Sequence, residues 1–161
     1  ENARQLLISM YGENVYQQGL NVYTTVKRID QDASYAALRK GIMDYDFKHG
    51  YRGPEGLVKI PNASIDSKEM KRALDNGLND HPSSDDILAG VVLAASPNEL
   101  KVFISTGEVV VMQGEALKFV KDALSPKAQP KIKISVGSII RVMPKVSGGW
   151  QITQLPEVEG A

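Results

Sequence analysis

The chain has 161 residues, 42% hydrophobic and 24% charged, a make-up that supplies enough apolar side chains for a folded core. Its 19 basic and 19 acidic side chains cancel, whereas a domain that grips phosphate backbones carries a clear basic excess, so no nucleic acid is expected as a partner. Cysteine is absent, which excludes thiol catalysis, disulfides and cysteine metal sites together.

In chain order, residues 2–11 read as a short helix capped by Asn2 and stopped by Gly12, with Leu6, Leu7 and Met10 on one side. Residues 20–26 alternate large apolar and smaller polar side chains and read as a strand. Asp30 then caps a longer helix, which Gly50 is placed to end in the left-handed conformation. Residues 53–56 form a loop, residues 57–60 a short strand. Asp66-Ser67-Lys68-Glu69 is a capping-box pattern that opens a small helix through Leu74, with Gly77 behind it. Residues 76–86 are polar, carry Pro82 and two serines, and read as a mobile loop.

From Ile87 the texture changes to short strands: 87–95, 100–104 and 108–112, joined at Pro97-Asn98 and Ser105-Thr106-Gly107. Residues 114–124 form an amphipathic helix with Leu117, Val120 and Leu124 on one face. Strands at 138–144 and 150–155 follow, joined by a turn at Ser147-Gly148-Gly149. The fold class is therefore α+β, mainly β. An OB-like small β-barrel, in the order strand, strand, strand, helix, strand, strand, stands behind an N-terminal helix-strand-helix flank. The longest apolar run, residues 91–95, is far short of the roughly 20 residues a membrane-spanning helix needs. Glu1 at one end and Val158-Glu159-Gly160-Ala161 at the other lead to the expectation of a piece of a longer chain.

Residues 44–55 hold the densest chemistry. His49 could act as a general base oriented by Asp44 or Asp46, with Arg52 binding an anion. No serine or threonine lies nearby to be activated, and a cation at a helix C-terminus followed by Gly50, Gly53 and Pro54 is what a helix end and a turn require. The structural reading is preferred, so no catalytic residue is assigned. Asp85-Asp86 and His81 have no partners at ligand spacing, so no metal site is expected. Phosphate-binding glycine loops are missing and no cofactor is expected. An OB barrel can bind single strands by stacking bases on aromatic side chains, for which only Phe103, Phe119 and Trp150 are available, with Phe119 on the helix.

Gly19-Leu20-Asn21-Val22-Tyr23-Thr24-Thr25, a Gln31-bearing helix, Asp44-Tyr45-Asp46 and His49-Gly50-Tyr51-Arg52-Gly53-Pro54 together resemble class A penicillin-binding proteins of the 1A branch. The resemblance covers both flanks, the close at residues 154–161 included, and the middle mainly by strand order. It implies a bifunctional peptidoglycan glycosyltransferase and serine-type D-Ala-D-Ala transpeptidase/carboxypeptidase, anchored in the inner membrane of a Gram-negative bacterium and working in the periplasm. Within such a protein residues 1–56 would be linker and the start of the transpeptidase domain, 57–155 an inserted OB-like domain, and 156–161 the return to the transpeptidase.

The resemblance also implies two partners, the transpeptidase domain of the same chain and an outer-membrane lipoprotein activator, with no membrane contact by this stretch. Family chemistry does not carry over. No lysine here has a serine three positions before it, and no Lys-Thr-Gly or Lys-Ser-Gly occurs. Ser96-Pro97-Asn98 fits a short family pattern but falls in a turn. The expected function is a non-catalytic regulatory or docking domain, with Tyr45, His49, Tyr51, Arg52 and Trp150 as candidate docking or joint residues. Two other readings stay open: an OB module that binds glycan or single-stranded nucleic acid directly, and a small hydrolase built on His49.

Overall fold

A computed structural model describes residues 2–17 and 19–158. The chain divides into two compact units, 1–40 and 41–161. The first contains helix α1 (Asn2–Tyr11), a 3-10 turn (Glu13–Tyr16) and the start of helix α2 (Arg28–Lys48), inside which the division falls. Arg4 donates to the Tyr16 hydroxyl at 2.9 Å. Gly12 does stop α1; the side chain of Asn2 lies outside those described. The expected strand at 20–26 is not formed. A strand exists only by pairing, and among the described residues the first unit holds no second strand; Val22 and Tyr23 are exposed. Asp30 lies in the first turn of α2, which opens earlier than expected, at Arg28.

The second unit begins with the last turns of α2. Gly50, at φ 82°, ends the helix as the sequence suggested. Strand β1 (Gly56–Leu57) is shorter than expected, because its partner strand begins at Ser138 and the ladder runs out; Val58 still donates to the Gly137 carbonyl at 2.8 Å. Helix α3 (Lys68–Leu78) outruns the expected Leu74. Its cap is Ser67, whose hydroxyl accepts the Met70 N–H at 3.1 Å, so the capping pattern sits one residue later than Asp66 and Glu69 proposed. Gly77 lies within α3, against Val58, where a Cβ would overlap that side chain. Residues 79–87 are held in place by the His81 N–H on the Leu78 carbonyl and by a bridge between Ser84 and Ile87.

Strands β2 (Leu88–Ala95), β3 (Glu99–Ile104), β4 (Val109–Gln113), β5 (Ser138–Pro144) and β6 (Trp150–Thr153) complete an antiparallel sheet in the order β4-β3-β2-β5-β6. A register shift between Val92 and Ala94 bends β2, so that its first half, from Leu88 to Val91, serves β5 while Gly90 to Ala95 follows β3. Strands β1 and β6 share the outer edge of β5: Gly56 opposes Ile139 and Thr153 opposes Arg141. The order is that of an OB fold, but the expected closed barrel is an open sheet among the described residues, with no ladder between β4 and β6. Those strands have five and four residues, and a 3-10 helix (Gly114–Val120) fills the opening with Ala116, Leu117 and Val120 against Met112 and Ile152.

An amphipathic α-helix was expected at 114–124. Its apolar stripe survives, but Leu117, Val120 and Ala123 recur every third residue, and that spacing lines up on a three-residue turn. Side-chain alternation divides the rest of the core. Val92, Val102, Ile104, Ile140 and Val142 face this helix, while Val91, Phe103 and Ile139 face Met70, Leu74 and Leu78 of α3.

Candidate functional site

Two stretches carry the chain into and out of this sheet, and one polar network holds them together. Asp46, buried on the last turns of α2, accepts the Arg52 guanidinium on Oδ1 and the Gln154 amide on Oδ2, the latter at 2.8 Å. The Gln154 side-chain oxygen Oε1 accepts the backbone N–H of Arg52 at 3.0 Å, and its side-chain amide also donates to the Gly50 carbonyl at 3.0 Å. Arg52 donates further to the Leu155 carbonyl and pairs with Glu157 at 3.1 Å. A buried carboxylate survives without water only when charge and hydrogen bonds compensate it, and here both do. Asp46 and Gln154 are 108 positions apart, so this contact joins the incoming and outgoing chain directly.

Aromatic packing fastens the same helix end. The Phe119 ring of the 3-10 helix meets Phe47 at 4.5 Å and Tyr51 at 5.8 Å, both edge-on. Tyr51 packs against the main core, and its buried hydroxyl has no hydrogen-bond partner among the described residues. Burial, and then the negative charge of Glu55, push its ionisation well above the ordinary tyrosine range.

A second polar cluster lies one step further along the incoming chain. Arg141, buried in β5, donates from Nε and Nη2 to the two oxygens of Glu55 at 2.7 and 2.8 Å, and from Nη1 to the Pro82 carbonyl at 2.7 Å. His81 Nδ1 lies 2.8 Å from the same carboxylate. Desolvation works to raise the Glu55 carboxyl, but hydrogen bonds and charge from Arg141 and His81 outweigh it and leave the group below its ordinary value. The cluster ties the incoming loop, β5 and the turn after α3 together.

The candidates from sequence fall into two groups. Arg52 and Tyr51 are engaged inside the network and the core. His49 and Tyr45 are exposed, stacked at 4.1 Å, with His49 Nδ1 donating to the Tyr45 carbonyl at 2.8 Å, which caps the end of α2. Trp150 is half-buried against the main core, opposite Pro144. Asp46 and Arg52 are brought together; His49 joins neither. Among the described residues no three His, Asp or Glu side chains gather as a metal site. Sequence reading missed Gln154, Glu55 and Arg141. Only Arg141 carried a signal, a lone charge amid Ile139, Ile140 and Val142.

Residues 51–158 match the family described as the penicillin-binding protein OB-like domain. The chain is similar to penicillin-binding protein 1A of Neisseria flavescens, 33% identical over 162 residues, covering all of this chain and 20% of that protein. It is 28% identical over 167 residues to penicillin-binding protein 1A of Escherichia coli K12, covering all of this chain and 19% of that protein. The crystal structure of penicillin-binding protein 1A from Haemophilus influenzae is similar with a TM-score of 0.70 and 27% identity, over 95% of this chain and 21% of that one. The chain thus spans about a fifth of the length of the curated relatives it matches. No helix among the described residues is long and apolar enough to cross a membrane.

Proposed function

We propose that this chain, which belongs to the penicillin-binding protein OB-like domain family, is a docking and regulatory domain of a bifunctional peptidoglycan synthase. In this reading residues 57–155 form an insert in a transpeptidase domain that works on the periplasmic side of the inner membrane. The insert supplies no catalytic group. It receives an outer-membrane lipoprotein activator and passes the effect of docking to the enzyme.

One observation carries the reading: the network of Asp46, Arg52 and Gln154 clasps the two chain crossings to each other. Docking can alter an enzyme only if the partner binds one arrangement of the connection better than another. A connection made of two crossings and one shared network has few arrangements, so a partner's preference is transmitted and not absorbed. Tyr45 and His49 at the exposed helix end, and Trp150 at the sheet edge, supply aromatic surface beside it.

The crossings also make the test feasible. Gly56 and Thr153 oppose Ile139 and Arg141 on one edge of β5, two positions and thus about 7 Å apart. Residues 57–155 can therefore be replaced by a short flexible linker in the full-length protein. The altered protein is expected to keep acylation by a labelled penicillin and to lose stimulation of cross-linking by the purified lipoprotein activator. Loss of acylation in a folded protein, or stimulation that persists, would overturn the reading.

A further inference from the structure

The neutral chain hides a separation of charge. Between residues 115 and 133 five lysines stand against Glu115 and Asp122, whereas between 66 and 86 six acidic side chains stand against Lys68, Lys71 and Arg72. These stretches lie over opposite faces of the sheet, since Leu117, Val120 and Leu124 bury into one core and Met70, Leu74 and Leu78 into the other. All five lysines are exposed. Lys118 reaches Glu115 at 3.7 Å, and the other four take part in no ion pair among the described residues.

Two open grooves flank the exposed Pro97-Asn98 turn. One is lined by Asn98, Leu117, Lys118, Lys121 and Glu115, the last paired with Lys118 so that Lys121 carries the net charge, the other by Lys133 and the exposed Val136, and Pro97 lines both. Apolar floor with a lysine rim is the complement of an acidic segment that also carries apolar side chains. We propose that these grooves are the docking surface of the domain and that their partner is an acidic stretch of protein. This rests on the docking function proposed above and names where the partner sits.

The same excursion also reaches the connection. The carbonyl of Lys131 lies so close to Gly53, at φ 119°, that a Cβ there would strike it. Gly53 follows Arg52, so displacement of the lysine-bearing segment bears directly on the residue that clasps the two crossings. Electrostatic complementarity on such a rim sets partner choice and association rate.

The test uses the full-length protein and a labelled peptide of alternating glutamate and leucine, followed by fluorescence anisotropy. Saturable binding is expected to weaken about 10-fold in the variant Lys121→Glu/Lys133→Glu and to be unchanged in Lys68→Glu/Lys71→Glu on the opposite face. Equal weakening in both variants, unchanged binding in the first, or no saturable binding would overturn the surface. Tighter binding of a single-stranded DNA oligonucleotide than of the peptide would overturn the partner class. Replacement of residues 57–155 decides separately whether the domain docks at all, so failure of this surface is told apart from failure of the docking function.

Discussion

Replacing Asp46 by asparagine changes one oxygen for one amide and leaves the shape intact. Oδ1 serves the Arg52 guanidinium and Oδ2 the Gln154 amide, so the variant can satisfy only one of them. Turning the Gln154 side chain over does not help, because its own oxygen is already used by the Arg52 N–H and its amide by the Gly50 carbonyl. One hydrogen bond is therefore lost whichever way the amides point, and the Arg52 contact loses its charge. Such losses cost about 1–3 kcal/mol each for buried groups. Arg52 is 31% exposed and keeps Glu157 and the Leu155 carbonyl, so most of its share is screened, and the net expectation is about 2 kcal/mol. Urea unfolding should show this as a lower midpoint with an unchanged slope. Combined with Gln154→Leu, the two changes should fall short of additivity by about 1 kcal/mol, as partners in one network do. A loss under about 0.5 kcal/mol, or strict additivity, would refute the claim that the network clasps the crossings.

The Glu55 carboxyl, held below its ordinary value in the fold, binds a proton more readily once unfolded. Its contribution is therefore present above the unfolded value of about 4.3 and is lost as pH falls through the lower folded value. Glu55→Gln should be less stable than wild type at neutral pH, and the gap in urea midpoints should close on acidification; parallel curves would contradict this. Gly90 sits in β2 where a Cβ would come within 2.5 Å of a Val102 methyl and 3.0 Å of the Phe103 carbonyl. Gly90→Ala should cost about 1–3 kcal/mol by overpacking, read by the same unfolding assay, and a neutral result would show that β2 and β3 have room to yield.

Much of this fold was legible because its elements are governed by short-range rules. Strand β5 lies where the sequence placed it, at Ser138–Pro144, and Gly50 ends α2 because only glycine takes that φ without strain. The strand at 20–26 failed for the opposite reason: alternation announces a face, but pairing needs a neighbour that the first unit does not contain among its described residues. Barrel closure was overestimated, since strand order says nothing of whether a 3-10 helix will fill the last gap. The dense cluster around His49 is divided by the fold, with His49 exposed against Tyr45 and apart from Asp46 and Arg52. What it contributes, Asp46 and Arg52, works through Gln154, a residue with no local signal that marks it as a partner 108 positions away.

The central claim is that this chain regulates without reacting, and peptide mapping tests it most directly. The full-length protein is incubated with a labelled penicillin, digested, and the labelled peptide identified by mass. The account predicts label only on a serine outside residues 1–161, because no lysine within them follows a serine at the spacing acylation requires. Label on any peptide within 1–161 would contradict it.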